Sequence, residues 1–417
     1  MCHISRPFTL LRNAMPSSAQ ELLLGNAPWS DACESFSAQV RRDLQAMALP
    51  LLDAAEATNR YPKALLTEFA KAGHFRRRWA ASGVAPGIGD VGIGLCTYYE
   101  AGRLLLGGLG IGLALQMESL LSCLAMAQPK LGTTDIFEEA VSGALIGCLA
   151  ITDPATGSDL AGLRLTAKRA GSGYLLNGKK KYISLSSTAD MALTLARTGE
   201  GEADLSMFLV PQGPEGYRVE RTLKKMGTLS IETNVLDFDD VQVGADNLVG
   251  QEGQGLYFAN HALTLERLAG CALLLGAYET SIEIARAYVR HRTTRTGTIW
   301  DHQAIRHRFA DLFADHQTLL HSLRYTAWEV QHKKGKERQV CGLKLTVASR
   351  VERGISEALQ LLGGAGYVDD WPLERALRDC RLARIVVGSD EVMREFIANE
   401  PMSEAAYEAW LDHRQVA

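Results

Sequence analysis

What this sequence lacks narrows its function before any motif is considered. It has no excess of basic charge: 44 lysines and arginines face 48 aspartates and glutamates, a formal net charge of −4. That balance offers no broad attraction to nucleic acid or to an anionic membrane, so a phosphate-bearing ligand needs a local site. The eight cysteines, at 2, 33, 96, 123, 148, 271, 341 and 380, form no C-x-x-C pair and have no histidine-rich companion pattern. No metal centre is therefore expected, whereas reduced core thiols in a cytoplasmic protein are. The N-terminus lacks the basic, apolar and small-residue succession of a secretion signal. Long apolar runs are missing too: the most apolar stretch, Leu104 to Leu115, is short for a bilayer and broken by four glycines. It reads as a buried helix whose glycines permit close packing, and no membrane span is expected.

What is present has an unusual order. The 417 residues, 47% hydrophobic, have room for more than one core. Helical spacing runs from about residue 30 to 145, including Pro62 to Ala72. Around Leu149 the character changes to short β-like runs at Met191 to Arg197, Met207 to Pro211 and Val235 to Phe238, punctuated by Gly, Asp and Pro. Tyr174-Leu-Leu-Asn-Gly-Lys predicts a hairpin with Asn177-Gly178 as its turn. Helical periodicity returns in Leu263 to Tyr288, Gln303 to Val330 and Leu343 to Leu362, each long enough for a bundle. The expected division is 1–147 helical, 148–250 antiparallel β and 251–417 helical, an α+β chain. An alternating β-α-β sheet is not suggested. Gly87-Ile-Gly89-Asp-Val-Gly92 matches the dinucleotide fingerprint, but no strand precedes it, so it reads as a loop.

Leu149-Ala-Ile-Thr-Asp-Pro-Ala-Thr-Gly-Ser-Asp carries more weight. Thr152, Gly157 and Ser158 offer hydroxyls and unhindered backbone N–H groups suited to phosphates or a polar heterocycle. On these residues alone an ordinary turn capped by Ser and Asp is the better reading. Further motifs decide. Tyr174-Leu-Leu-Asn-Gly-Lys-Lys-Lys-Tyr-Ile-Ser follows, then Gln360-Leu-Leu-Gly-Gly-Ala-Gly-Tyr, then Arg375 to Arg381. Together these resemble the T-E-P-x-x-G-S-D, Y-x-L-N-G-x-K-x-[WY]-I-[TS], Q-x-x-G-G-x-G-Y and R-x-x-R-D-x-R elements of acyl-CoA dehydrogenases. The likeness extends from about residue 35 to near the end. It implies that family's fold: an N-terminal helical domain, a middle antiparallel β domain and a C-terminal four-helix bundle.

The resemblance also implies FAD and a set of contacts. Leu149, Ile151, Thr152, Gly157 and Ser158 would lie along the flavin, with Thr152 at its pyrimidine side. Tyr182 would cover one face, beside Ile183, and Ser184 would donate to N5. A wall opposite the hydride and donors for the developing charge are what the chemistry needs. Arg292 and Gln303, in a variant of R-x-x-F-G-x-x-x-x-x-x-Q, and Gln360, Gly363 and Gly364 would reach the pyrophosphate and adenine of a neighbouring subunit's cofactor. A homodimer or homotetramer is implied. Arg295-Thr296 replaces the usual Phe-Gly pair. Ser389 is likewise a cofactor position, while Ser158, Thr264, Arg267, Val387 and Gly388 fall on the substrate side.

Many members of that family carry a catalytic glutamate before the glycine of a C-terminal E-G-T element. Here the stretch is Ile385-Val-Val-Gly-Ser-Asp, so Val387 takes that place and cannot abstract a proton. Isovaleryl-CoA and long-chain members instead carry the glutamate on a helix before an arginine, as in Leu263-Thr-Leu-Glu-Arg-Leu-Ala. From Ala262 to Tyr278 the only charged residues are Glu266 and Arg267, among leucines. Enclosure would raise the Glu266 pKa toward that of a base working near neutrality, although a surface glutamate facing water has the same periodicity. The resemblance makes Glu266 the expected base, with the Val387 backbone N–H meeting the enolate oxygen.

Two departures bear on the substrate. Gly227-Thr-Leu-Ser-Ile-Glu-Thr lacks the Arg and one Ser of the family's G-x-R-x-S-x-T, and Thr264 stands where Asp is common. An acyl group on a carrier protein is thus an alternative to acyl-CoA. Electron-transfer flavoprotein or another acceptor would take the electrons. A flavin monooxygenase, or an inactive FAD-binding protein on the same fold, would need no base, and Glu266 argues against both.

Overall fold

The structure, a computed structural model, describes residues 31–79, 88–127, 134–157, 159–333 and 337–399. The first helices are α1 Asp31–Met47, α2 Leu49–Thr58, α3 Lys63–Lys71, α4 His74–Trp79, α5 Val91–Arg103 and α6 Gly107–Ala114. A π-helical turn, Leu115–Leu120, joins α6 to α7 Leu121–Ala127, and α8 Thr134–Val141 follows. Local chemistry sets several ends. Asn59 halts α2 in the left-handed conformation at φ 47°, and the Asp90 side chain caps α5 by accepting from the Ile93 N–H. Helix α4 is the last described element before Ile88-Gly89, so among the described residues no strand precedes the fingerprint. Gly87 lies outside the described residues.

The strands are β1 Gly147–Ala150, β2 Thr166–Ala170, β3 Gly173–Ser184, β4 Met191–Arg197, β5 Leu205–Pro211, β6 Tyr217–Thr222, β7 Thr233–Gly244 and β8 Leu248–Val249. They form one sheet in the order β6-β7-β3-β2-β4-β5-β8, with β1 also on β4. Most pairs are antiparallel, but β1 runs parallel to β4, as does a single bridge between β2 and β4. The β2–β3 hairpin intervenes between β1 and β4, which gives the chain the crossover that parallel pairing requires. The sheet is therefore mixed.

The hairpin expected at Asn177-Gly178 is not formed there. The chain reverses at Gly171-Ser172, with Gly171 at φ 57°, and β3 runs straight through Asn177. The Asn-Gly pair makes a bulge between Leu176 and Gly178 instead, against β7. The Asn177 amide explains the preference: it donates to Asp240 Oδ1 at 2.8 Å and accepts from the Asp240 N–H at 2.9 Å. A cross-strand partner outcompetes the turn.

The remaining helices are α9 Gly255–His291, α10 Gln303–Gln331, α11 Glu337–Leu361, α12 Leu373–Arg381 and α13 Asp390–Asn399; a small hairpin, β9 Thr293–Thr294 and β10 Gly297–Thr298, separates α9 from α10. At 1.5 Å per residue α9 is about 55 Å long and forms the axis of the C-terminal bundle. Glycines let α5 lie against it. A Cβ on Gly102 would come 2.0 Å from the Leu273 carbonyl oxygen, and one on Gly276 would come 2.0 Å from that of Tyr99. Two helical stretches, Gly107–Ala127 and Gly255–His291, are long and apolar enough to cross a membrane, but 78% of each apolar window is buried in the fold. They are core helices, the first extended past Leu115 by the π turn.

Candidate active site

Glu266 projects from α9 toward the π turn. The Ser119 hydroxyl donates to its Oε1, and Glu118, the preceding residue, lies nearby. As a residue Glu266 is half-buried, while its carboxyl is desolvated. That burial pushes its pKa up to about 7; the Ser119 hydrogen bond and Arg267 oppose the rise, and Glu118 adds to it. Glu118 is itself paired. Arg78 donates to it from Nη2 at 2.9 Å and Nε at 3.2 Å, and the Tyr98 hydroxyl donates at 2.8 Å.

The next residue on α9 ties the helix to the C-terminal loop. Arg267, 2% exposed, donates from Nε to the Val387 carbonyl at 3.1 Å and pairs with Glu337 at 3.0 Å. Lys344 donates to the Gly388 carbonyl at 2.6 Å. Val387 is held at φ 48°, a conformation costly for a β-branched residue, and among the described residues its N–H has no partner. Asp390 and Glu391, the other acids nearby, are otherwise engaged: Asp390 is buried against Arg384 at 2.7 Å, and Glu391 is exposed beside Arg394. The Thr264 hydroxyl bonds back to the Asn260 carbonyl at 2.7 Å.

A second cluster is built where β3 meets the segment after β1. Lys180 is completely buried. Its Nζ donates to the Ile151 carbonyl at 2.6 Å and to Asp153 Oδ1 at 2.7 Å. Burial draws its pKa down to about 8 despite that partner. Asp153 Oδ2 accepts from the N–H groups of Arg164 and Leu165, and the Lys181 N–H donates to the Thr152 carbonyl at 2.8 Å. Thr152 is thereby fixed beside β3. A register shift between Lys181 and Ile183 puts Tyr182 at φ 64° and leaves the residue 59% exposed, although Ile183 next to it is 2% exposed. Ser184 shares a hydrogen bond with Thr233 at 3.0 Å. Leu149 is part-buried and Ile151 buried, while a Cβ on Gly157 would meet nothing within 4 Å. Ser158 lies outside the described residues.

An uncovered aromatic ring at a strained position, flanked by hydroxyls and open glycine backbone, suits one face of a planar heterocycle. Arg292, Gln303, Gln360, Gly363 and Gly364 are not brought to this cluster by one chain. All are exposed, and none is hydrogen-bonded to Thr152, Tyr182 or Ser184. Ser389 caps α13. Sequence reading missed Lys180, Asp153, Ser119 and Thr233, whose partners are distant in the chain; Lys180, Asp153 and Thr233 had a signal as members of the Y-x-L-N-G-x-K, T-E-P-x-x-G-S-D and G-x-R-x-S-x-T elements, and Ser119 had none.

One turn beyond Glu266 an apolar cavity of about 90 Å³ opens, lined by Gly270, Leu273, Leu274, Ala277 and Val386. A larger polar recess of about 520 Å³, around Arg60, Lys63 and Asp190, contains none of these residues.

Comparison with known proteins finds matches to two family models, "Acyl-CoA dehydrogenase, middle domain" over residues 148–241 and "Acyl-CoA dehydrogenase, C-terminal domain" over 253–401. The chain is 27% identical to a mitochondrial isovaleryl-CoA dehydrogenase of Oryza sativa subsp. japonica, over 94% of this chain and 96% of that one. It is 31% identical to the mouse mitochondrial long-chain specific acyl-CoA dehydrogenase, covering 71% and 70%. Identity is also 31% to the acyl-[acyl-carrier-protein] dehydrogenase MbtN of Mycolicibacterium paratuberculosis, covering 82% and 87%. The solved structure of butyryl-CoA dehydrogenase from Megasphaera elsdenii shares the fold, with a TM-score of 0.83 at 23% identity over 89% of this chain and 98% of that one.

Proposed function

Since the chain belongs to the acyl-CoA dehydrogenase family, and so is a flavin-using oxidoreductase acting on acyl thioesters, we propose that it binds FAD and removes the α proton with Glu266. The observation that carries this is Glu266 itself, desolvated, with a pKa near 7 and next to Arg267, which anchors the Val387 loop. A base of that pKa is half-ionised at neutral pH, where proton transfer is most efficient.

The residues that would hold FAD are Leu149, Ile151, Thr152, Gly157, Ser158, Tyr182, Ile183, Ser184 and Ser389, with Arg292, Gln303, Gln360, Gly363 and Gly364 supplied from a neighbouring subunit. The open ring of Tyr182 supports that fit. When bound, FAD supplies the acceptor for the β hydride. Glu266 breaks the Cα–H bond: the proton goes to its carboxylate and the electron pair stays on the substrate as an enolate. The free Val387 N–H meets the enolate oxygen, and Arg267 and Lys344 keep it aimed by pinning the two carbonyls that follow. Thr264, Ser158 and Gly388 border the substrate, and its acyl part points toward the apolar cavity along α9.

The altered 227–233 element favours an acyl group presented by a carrier protein, in a biosynthetic setting, over free acyl-CoA. Electron-transfer flavoprotein or a similar acceptor reoxidises the enzyme. The division 1–147, 148–250, 251–417 and a homodimer or homotetramer belong to the same reading. The seven described cysteines are all buried and none is joined in a disulfide, which supports a reducing compartment such as the cytoplasm.

Anaerobic stopped-flow mixing with acyl-CoA and acyl-carrier thioesters tests the proposal. Bleaching of the flavin is expected in the parent, in Asp390→Asn and in Glu391→Gln, but slowed at least ~10²-fold in Glu266→Gln with FAD retained. Near-normal bleaching in Glu266→Gln, with collapse in either of the others, moves the base to the loop.

A further inference from the structure

The π turn 115–120 is the one place where the helix facing α9 departs from α geometry, and it does so beside Glu266. Its widened step is closed by the Leu121 N–H donating to the Gln116 carbonyl, an i→i+5 bond. Such turns insert one residue into a helix and recur at functional sites. Here the extra residue lets Glu118 and Ser119 serve two directions. Glu118 faces the Arg78 guanidinium and the Tyr98 hydroxyl on α4 and α5, whereas Ser119 faces α9. Both are at most 2% exposed, so neither position is a solvent accident.

We propose that Ser119 is a positioning residue for Glu266: its hydroxyl fixes the carboxylate that takes the α proton, and the Arg78–Glu118–Tyr98 cluster fixes Ser119. This rests on Glu266 being the base. Ser119 donates a hydrogen bond that the ionised carboxylate accepts more strongly than the neutral acid does, so it favours the reactive form and restrains one oxygen. The other oxygen is left to take the proton from substrate.

The groups that face Glu266 are few. Ser119 and Glu118 come from the π turn, Cys123 from α7, Tyr98 from α5 and Arg267 from its own helix. Arg267 is held away by Val387 and Glu337, and the Glu118 charge is matched by Arg78. Ser119 is therefore the direct hydrogen-bond donor among the described neighbours. Losing it raises the Glu266 pKa, because burial and Glu118 both act in that direction. A hydrogen bond of ordinary strength to a charged group corresponds to a shift of about one pH unit, roughly tenfold in the ionised fraction.

The test titrates Glu266 directly in the purified flavin-loaded enzyme, without substrate. Infrared difference spectra follow its protonated carboxyl band, assigned by its absence in Glu266→Gln. In Ser119→Ala the midpoint should move up by about one unit and the acid limb of flavin reduction should move with it. Ser119→Thr, which keeps the hydroxyl, should restore both. An unmoved midpoint in Ser119→Ala overturns the proposal. So does a moved midpoint with an unmoved acid limb. Continued fast reduction in Glu266→Gln instead overturns the base assignment beneath it, and is told apart because the Ser119→Ala midpoint still moves.

Discussion

Exchanging Asp153 for asparagine isolates the charge that holds the flavin-side cluster together. The change is small in shape, since an asparagine oxygen can still accept from the N–H groups of Arg164 and Leu165, 2.5 and 2.9 Å from Oδ2. What disappears is the negative charge 2.7 Å from Lys180, in a pair whose side chains are 0% and 2% exposed. Removing one member of such a buried pair costs about 3–5 kcal/mol, and at roughly 2–4 °C per kcal/mol the melting temperature should fall by about 6–20 °C near pH 7. The deficit should also depend on pH in a defined sense. Burial lowers the Lys180 pKa to about 8, and Asp153 is what keeps it from falling further. Without Asp153 the folded-state pKa drops below 8, while the unfolded lysine still titrates near ~10.4. The folded variant then binds fewer protons than its unfolded chain over a wider range, so its stability rises with pH where the parent's does not yet. The deficit is therefore largest in mild acid, shrinks as pH approaches 8, and is level above that, where Lys180 is neutral in both proteins. Circular-dichroism melts of the parent, Asp153→Asn and Asp153→Asn/Lys180→Met at pH 6, 7 and 8.5 measure it. An equal deficit at all three pH values, or no recovery on removing the lysine as well, refutes the reasoning.

The parent enzyme's flavin reduction should lose about tenfold per pH unit below 7 and level off above 8, because Glu266 acts ionised and its pKa is near 7; a profile flat from pH 5.5 to 8 excludes it as the base. Gly276→Ala should destabilise by about 1–3 kcal/mol and slow reduction, since the added methyl meets the Tyr99 carbonyl and pushes α9 from α5; an unchanged melting temperature contradicts that close crossing.

Where the sequence was legible, one local rule acted alone. Met191–Arg197 is an apolar run between breakers, and it is β4 from end to end. The long helices α9, α10 and α11 follow their hydrophobic period. Where two rules competed, the distant partner won. Asn177-Gly178 carries a strong turn signal, yet Asp240, 63 residues away, turned it into a bulge. Exposed β6 shows no burial alternation to read, because five of its six positions face solvent. Among the candidate site residues, Glu266 and Tyr182 were singled out through the motifs. Lys180 was hidden among three consecutive lysines that periodicity treats alike, although only the middle one is buried. Nothing in Leu-Gln-Met-Glu-Ser-Leu announces a π turn, since its backbone register is set by what packs on both sides.

Gln116, at the start of that turn, bears on the order in which the molecule assembles. Its amide donates to the Ala140 and Leu145 carbonyls and accepts from the Gly147 N–H, contacts spanning only 24 to 31 residues. These close early, because short loops cost little entropy. The Ser119–Glu266 contact spans 147 residues and waits for α9 to dock. A nascent chain thus completes the receiving half of the site first, and the carboxylate arrives last. If Glu266 is the base proposed above, a chain whose C-terminal bundle has not docked should bleach no flavin on mixing with thioesters.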